Sequence, residues 1–228
     1  MFIAELFESI QGEGRYVGVA SVFLRTSGCN LRCWFCDTPE TSWQPRGQRL
    51  SLADVTKSLL ESDCDHAVLT GGEPFLVPEL VPLTESLRAA GKVITIETAG
   101  TVFRPVQADL ISLSPKLANS TPSLERSERW HHRHEELRHQ PAVIERFIRE
   151  YDYQIKFVLD HPSDIEDVLN WCQEFPSVTP DRVYLMAQAV EVDVLETKNA
   201  WLNDLADQHG FQVSPRLHIE LFGNTPGT

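Results

Sequence analysis

Residues 25–41 of this chain read RTSGCNLRCWFCDTPET, and they place three of the five cysteines within one short loop. Cys29, Cys33 and Cys36 stand at a spacing that lets such a loop turn three thiolates towards one soft-metal centre. A structural zinc ion would need a fourth ligand, usually from a second Cys-x-x-Cys pair, and the sequence has no second pair. The loop therefore predicts a metal centre with one position open for a cofactor or substrate, with a structural zinc loop as the alternative.

The composition is that of an acidic globular protein. Its 228 residues include 20 Lys and Arg against 33 Asp and Glu, which gives a formal net charge of −13. Because such a surface repels polyanions, we expect no nucleic acid partner. We also expect no membrane association, since no apolar run approaches spanning length and the N-terminus lacks the pattern of a signal peptide. The five cysteines are too few for a disulfide scaffold, so a reducing cytoplasm is the predicted location.

Short apolar runs alternate with amphipathic stretches through most of the chain. Strands are predicted at residues 19–26, 66–70, 92–97, 109–114, 153–159, 182–188 and 211–214, with residues 2–8 as an edge element. This alternation predicts an α/β protein with a mostly parallel sheet and right-handed crossovers. A complete eight-fold barrel typically needs about 250 residues. We therefore expect a single domain over residues 1–228 that forms an incomplete, open parallel β/α barrel, with a doubly wound open sheet as the alternative.

Several helices have clear boundary or packing signals. Ser51 followed by Asp54 resembles a capping box and predicts a helix start, and Gly210 is expected to end a helix over 193–209. Cys172 falls at an apolar position of an amphipathic helix and is expected in the core. The helix that begins near residue 79 is expected to bury one apolar face, made of Leu80, Leu83, Leu87 and Ala90.

Residues 117–150 form the least regular part of the sequence and are predicted to be a charged, His-rich insertion. Residues 125–139 carry many charges and four of the eight histidines, namely His131, His132, His134 and His139. A metal site is one interpretation of this cluster. The pattern favours an exposed polar helix instead, because a run of mixed charges is typical of a solvated helix face.

Polar motifs follow several of the predicted strands at the point where each strand ends. They are Arg25 with the cysteine loop, TGGEP (70–74), ET (97–98), SPK (114–116) and Gln188. The carboxyl ends of parallel strands meet at one edge of the sheet, which is where α/β folds place their sites. We therefore expect these separate motifs to converge on one site.

The cysteine loop, with Phe35 before its last cysteine, resembles the cluster-binding signature of the radical S-adenosylmethionine (SAM) enzymes. The resemblance implies that residues 27–50 form a cluster-binding loop in which Cys29, Cys33 and Cys36 hold three irons of a 4Fe-4S cluster. In that superfamily the fourth iron binds SAM, and an electron from the cluster cleaves SAM to a 5′-deoxyadenosyl radical. The radical then takes a hydrogen atom from the substrate.

Further motifs resemble the 7-carboxy-7-deazaguanine synthase family along nearly the whole chain. They are IQGEG (10–14), FLR (23–25), CDT (36–38), TGGEP (70–74), ETAG (97–100), SPK (114–116) and RLH (216–218). The resemblance implies a carbon–nitrogen lyase that converts 6-carboxy-5,6,7,8-tetrahydropterin into 7-carboxy-7-deazaguanine with loss of ammonia, a step towards 7-deazapurines such as queuosine. It also implies a homodimer, a bound Mg²⁺ ion and an electron donor such as flavodoxin. Residues 117–150 have no counterpart in it.

The same resemblance assigns roles to individual residues. Thr38 is expected to bind Mg²⁺ together with a substrate carboxylate, which is ordinary oxygen-ligand chemistry for this ion. The expected SAM contacts are Phe35, Cys36, Asp37, Gly72, Glu73, Glu97, Ser114, Pro115, Lys116 and Gln188. The expected substrate contacts are Ile10, Gln11, Gly12, Arg25 and Thr70.

Two other functions also fit the cysteine loop. A glycyl-radical-activating enzyme would share the cluster and SAM but act on a protein substrate, and it would have no need of the IQGEG loop. A non-enzymatic iron–sulfur or zinc-binding module would show no reductive cleavage of SAM.

Overall fold

The computed structural model describes residues 1–225 and residue 227, and their strands form one mixed sheet. The strands are β1 (Phe2–Ile10), β2 (Ala20–Thr26), β3 (Gln48–Arg49), β4 (His66–Gly71), β5 (Val93–Thr98), β6 (Leu110–Leu113), β7 (Tyr153–Leu159), β8 (Val183–Ala187) and β9 (Gln212–Val213). The helices are α1 (Leu52–Glu61), α2 (Leu80–Ala89), α3 (Leu124–Arg138), α4 (Pro141–Glu150), α5 (Ile165–Glu174), α6 (Val192–His209) and α7 (Leu217–Phe222).

Within the described residues the sheet has the order β3-β1-β2-β4-β5-β6-β7-β8-β9. Every neighbouring pair from β2 to β9 is parallel, whereas β1 runs antiparallel to both β2 and β3. Because β3 and β9 stand at opposite ends of this order, the sheet is open, and the predicted open α/β architecture is confirmed. β1 was expected at the edge but lies one strand inside it, because β3 forms within the predicted cluster-binding loop (27–50) and pairs with Phe2 and Ile3.

The core occupies both faces of the central parallel strands. Ala67, Val68 and Leu69 of β4 are all fully buried, as expected for a parallel strand that is covered on both faces. Leu59 of α1 and Leu83 of α2 belong to the same hydrophobic core. The two helices therefore pack through their apolar faces and leave the ends of the strands free to carry loops.

The predicted cap of α1 is confirmed, whereas two residues that were predicted to be buried, Ala90 and Cys172, are more exposed than expected. The Ser51 hydroxyl accepts a hydrogen bond from the backbone N–H of Asp54 at 3.1 Å and so caps α1. Ala90 was predicted to be inward but is exposed, because α2 ends at Ala89 and Ala90 is the C-cap outside the helix. Cys172 lies half-buried at the margin of the core, while its neighbour Trp171 takes a buried position.

Residues 117–150 fold into α3 and α4, preceded by a short 3₁₀ turn at Ala118–Ser120. Most side chains of α3 are exposed, as predicted for a polar helix, but His134 is fully buried. Among residues 1–225 and 227, no three His, Cys, Asp or Glu side chains come together as ligands of a single metal ion. Over the same residues, no helix has the length and apolar character needed to cross a membrane.

Candidate active site

One cavity of about 420 Å³ lies at the carboxyl-terminal edge of the parallel strands. The register of the sheet explains why distant motifs meet there: Arg25 at the end of β2 pairs with Thr70 at the end of β4, and Glu97 of β5 pairs with Ser112 of β6. The predicted convergence of the polar motifs on one edge is therefore what the sheet produces.

Nearly all of the predicted site residues border this cavity. They are Ile10, Gln11, Gly12, Arg25, Cys29, Cys33, Phe35, Cys36, Asp37, Thr38, Thr70, Gly72, Glu97, Ser114, Lys116 and Gln188. The two exceptions are Glu73 and Pro115, which are not part of its wall. The structure thus brings the expected cluster ligands, SAM contacts and substrate contacts around a single space.

Glu73 is fully buried and forms hydrogen bonds with other residues of the protein. Its carboxylate accepts hydrogen bonds from the Thr98 hydroxyl at 2.8 and 2.9 Å, from the Ala99 N–H at 2.9 Å and from the Phe75 N–H at 3.2 Å. Burial raises the pKa of Glu73 to about 7, although these donors favour the ionised form. The side chain therefore joins the ends of β4 and β5, and its expected contact with SAM stays a prediction.

The three loop cysteines are free thiols that face the same cavity. Burial raises the pKa of Cys29 and of Cys33 to about 12, so both are protonated until a metal displaces the proton. Three thiols at one wall, with Cys64 and Cys172 elsewhere in the described chain, fit the three-sulfur donor set of an open iron–sulfur cluster. A four-iron cluster is larger than a single metal ion, so its three sulfur ligands need not lie as close together as the ligands of one ion.

The loop around these cysteines is held by short polar contacts. The Leu31 N–H donates to Cys29 Sγ at 3.4 Å, and Cys36 Sγ lies 3.1 Å from the Ser42 hydroxyl. Gly72 packs directly against the loop, because a Cβ atom at this position would lie 2.3 Å from the carbonyl oxygen of Gly28. The second glycine of TGGEP is therefore required by the approach of the cysteine loop as well as by any ligand.

A buried ion network forms the part of the wall nearest β1 and β7. Lys156 Nζ lies 2.5 Å from Glu13 Oε2 and 3.4 Å from Glu97 Oε1. Burial alone would raise the pKa of Glu13, but Lys156 and Arg216 outweigh it and hold that pKa well below its usual value. Glu97 also accepts from the Gln11 amide at 3.3 Å and from the Thr70 hydroxyl at 2.9 Å. Glu97, predicted among the SAM contacts, is thus joined to two predicted substrate contacts.

Arg216 connects the C-terminal segment to the cysteine loop. Its guanidinium pairs with the Asp37 carboxylate, lies 3.3 Å from Glu13 Oε1 and donates to the Ala189 carbonyl at 2.5 Å. Burial opposes ionisation of Asp37, yet Arg216 lowers the pKa of that carboxyl. His218 lies close by: a Cβ atom on Gly12 would come within 2.0 Å of its Nδ1 atom, so a side chain at position 12 would displace the His218 ring.

Sequence reasoning assigned no site role to Lys156 and none to Arg216 or His218 individually. The signal for Lys156 was present, because a lysine between Ile155 and Phe157 interrupts an otherwise apolar strand. Such a charge is buried only when it is paired. For Arg216 and His218 the only signal was the RLH motif, since their partners Glu13 and Gly12 lie about 200 residues away in the sequence.

A three-cysteine loop at the carboxyl edge of an open, mostly parallel sheet is the arrangement of the radical SAM superfamily, whose family model matches residues 23–123. A Rhodopirellula baltica protein named 7-carboxy-7-deazaguanine synthase is 42% identical over 229 residues, covering 100% of this chain and 89% of the relative. A Halobacterium salinarum protein of the same name is 41% identical, covering 99% of this chain and 92% of the relative. The chain belongs to the 7-carboxy-7-deazaguanine synthase family.

The fold agrees with that assignment. The crystal structure of QueE from Escherichia coli superposes with a TM-score of 0.69 and 24% sequence identity, and it covers 95% of this chain and 94% of that chain. At this level of identity the similarity describes the fold alone. The structure of Streptococcus suis SuiB bound to its precursor peptide SuiA also shares the fold, with a TM-score of 0.58, 13% identity and coverage of 84% of this chain and 47% of that chain.

Proposed function

We infer that this protein is a radical SAM enzyme that converts 6-carboxy-5,6,7,8-tetrahydropterin into 7-carboxy-7-deazaguanine with loss of ammonia, in the biosynthesis of queuosine and other 7-deazapurines. The observation that carries the inference is full-length similarity to proteins of that name, combined with one cavity that collects the three thiols and the family motifs. The product contains the atoms of the substrate less one ammonia, so SAM is regenerated in each turnover rather than consumed.

The cofactor side of the cavity is formed by the cysteine loop and the SPK motif. Cys29, Cys33 and Cys36 would hold the cluster, and reductive cleavage of SAM there supplies the radical that removes hydrogen from the substrate. Lys116 borders the cavity and donates to the Ser114 hydroxyl at 2.7 Å, which orients its ammonium group. A cation at this position suits the carboxylate of SAM, which supports the proposed SAM site.

The substrate side is formed by β1, β2 and β4. Arg25 Nε pairs with Glu5 at 2.7 Å, and within the described chain its guanidinium makes no other hydrogen bond, which leaves its terminal nitrogens for the substrate carboxylate. Glu97, held by Gln11 and Thr70, can accept from the amino and ring N–H donors of a pterin. These contacts support a substrate with an anionic end and a donor-rich ring.

The third proposed cofactor is an Mg²⁺ ion. Thr38 borders the cavity and directly follows Asp37, whose carboxylate is already paired with Arg216. A threonine hydroxyl and a substrate carboxylate are both oxygen ligands that Mg²⁺ accepts. We therefore propose Thr38 as a metal ligand and the substrate itself as another.

Three further proposals follow from family membership. The enzyme acts as a homodimer, receives electrons from a small donor protein such as flavodoxin, and works in the cytoplasm. Size-exclusion chromatography with light scattering tests the first proposal, and reduction by purified flavodoxin in place of dithionite tests the second.

An anaerobic turnover assay tests the central proposal. Reconstituted protein is mixed with SAM, dithionite, Mg²⁺ and 6-carboxy-5,6,7,8-tetrahydropterin, and 7-carboxy-7-deazaguanine is measured by mass spectrometry. Formation of the product is the expected result. Cleavage of SAM without product would contradict the proposed pterin substrate and favour a protein substrate. If protein with a complete cluster did not cleave SAM at all, its assignment to the radical SAM reaction class would be overturned.

A further inference from the structure

The loop between Cys29 and Cys36 has no regular secondary structure, so its backbone polar groups need partners from other parts of the chain. Three of these partners come from residues 118–138, which comprise the 3₁₀ turn and α3 and are called the clamp segment below. This segment lies within residues 117–150, which the sequence predicted to be a charged, His-rich insertion. Its contacts with the cysteine loop give it a different role.

The first group of contacts surrounds Trp34. Its backbone N–H donates to the Ser120 carbonyl at 3.0 Å, and its indole N–H donates to the Asn119 carbonyl at 2.7 Å. Its own carbonyl accepts from Arg126 Nη1 at 2.8 Å. The clamp segment therefore binds both the donor and the acceptor of the residue that follows Cys33.

The second contact comes from His134, which is fully buried. Its Nδ1 atom accepts from the Arg32 N–H at 3.1 Å, and its Nε2 atom lies 2.9 Å from the Ser120 hydroxyl oxygen. A backbone N–H only donates, so Nδ1 carries no proton and the ring hydrogen is on Nε2. The Ser120 hydroxyl donates in turn to the Leu117 carbonyl at 2.7 Å, so each donor in this chain of hydrogen bonds has an acceptor.

The third contact involves Trp130, which precedes His134 by about one helical turn and therefore shares its face of α3. The Arg32 guanidinium stacks on the Trp130 ring at 4.0 Å from its centre. Arg32 Nη1 then donates to the carbonyls of Cys29 and Leu31 at 2.8 and 2.7 Å. Stacking shields this cation from water and holds it against the loop carbonyls.

We propose that His134 and Trp130 are positioning residues that hold residues 29–36 in the conformation that binds the cluster, and that they thereby determine how firmly the loop retains iron. The proposal rests on the assignment of Cys29, Cys33 and Cys36 as cluster ligands. Without His134 the buried N–H of Arg32 has no acceptor, so the closed loop loses stability relative to an open one. Iron leaves when the loop opens, so the rate of iron loss reports on this balance.

The first test measures iron release from anaerobically reconstituted protein into an excess of a strong Fe²⁺ chelator. His134→Leu removes both hydrogen bonds, and His132→Leu makes the same change at an exposed position of the same helix. We expect release at least about tenfold faster from His134→Leu, unchanged release from His132→Leu, and partial recovery in His134→Asn, whose amide oxygen replaces Nδ1. Equal release rates from the two leucine variants would overturn the proposal.

The second test uses hydrogen–deuterium exchange of the metal-free protein, so it does not depend on a cluster. Amides of residues 30–36 are expected to exchange about tenfold faster or more in His134→Leu than in His132→Leu, because removal of the acceptor favours local opening. Trp130→Leu replaces His134→Leu if the latter does not fold. Unchanged protection of these amides would overturn the proposal that the clamp segment positions the cysteine loop. Absence of iron from the wild-type protein would instead refute the cluster assignment and leave the exchange result valid.

Discussion

The substitution Lys156→Met removes a buried cation from between two carboxylates and keeps an unbranched side chain of similar length. The lysine Nζ atom lies 2.5 Å from Glu13 and 3.4 Å from Glu97, and only 4% of its side chain is exposed. Glu13 keeps a second cation, Arg216, at 3.3 Å. Glu97 has no other ion-pair partner among the described residues.

Removal of one partner from a buried ion pair costs about 3–5 kcal/mol. We expect the free energy of unfolding of the Lys156→Met variant to fall by this amount at pH 8, which corresponds to a Tm lower by about 6–20 °C for a chain of this size. In the wild-type protein Lys156 helps hold the pKa of Glu13 below its usual value, so without it that pKa rises. A carboxyl whose folded-state pKa rises takes up its proton at a higher pH, so the variant regains stability relative to the wild-type protein as the pH falls through that pKa. The loss of stability is therefore expected to shrink, and not to grow, once the pH falls into the range where Glu13 is protonated in the variant.

Urea unfolding of the metal-free proteins at pH 8 and at successively lower pH measures both effects. Lys57→Met is the matched control, because Lys57 and Glu61 form an exposed pair at 3.6 Å with side chains 71% and 65% exposed. Such a surface pair contributes about 0.5 kcal/mol or less. The reasoning is refuted if Lys156→Met costs no more than Lys57→Met, or if its deficit grows as the pH falls.

Four other variants test the site and the fold. Cys33→Ala is expected to fold but to hold too little iron after reconstitution, and a normal iron content would exclude Cys33 as a ligand. Thr38→Ala should weaken the Mg²⁺ dependence of turnover more than SAM binding, with recovery in Thr38→Ser; an unchanged Mg²⁺ response would remove Thr38 from the metal site. Arg25→Ala should raise the substrate KM at least about tenfold, because a charged hydrogen bond is lost, while slow uncoupled SAM cleavage persists; an unaltered KM would contradict the carboxylate contact. Ser51→Ala removes the cap of α1 and should lower the free energy of unfolding by about 1 kcal/mol in urea titrations, and a loss near zero would show that this cap is not needed.

Local sequence patterns predicted most of the secondary structure. The strand predicted at residues 153–159 is observed at Tyr153–Leu159, and the helix predicted at 193–209 is observed at Val192–His209 with Gly210 as its αL cap. These elements follow from hydrophobic period and capping, which act over a few residues and are visible in the sequence. Ala90 was placed wrongly because the period alone does not show where a helix ends.

The convergence of the polar motifs was also predictable, because parallel strands present all their carboxyl ends at one edge. The motifs at residues 10–14, 70–74, 97–100 and 114–116 each border the cavity, although no sequence signal links them directly. The predicted sheet topology therefore located the site more completely than any single motif did. It did not predict which side chains would pair across that edge.

The sequence by itself determined the alternation of strands and helices, the three-cysteine loop and the edge of the sheet at which it lies. Only the tertiary structure decided that Lys156 joins Glu13 to Glu97, that Arg216 reaches Asp37, and that His134 supports the cysteine loop. Hydrophobic period and capping are properties of neighbouring residues, so they can be read along the chain. A buried ion pair or hydrogen bond between distant residues depends on the relative placement of whole elements, which only the packed core defines.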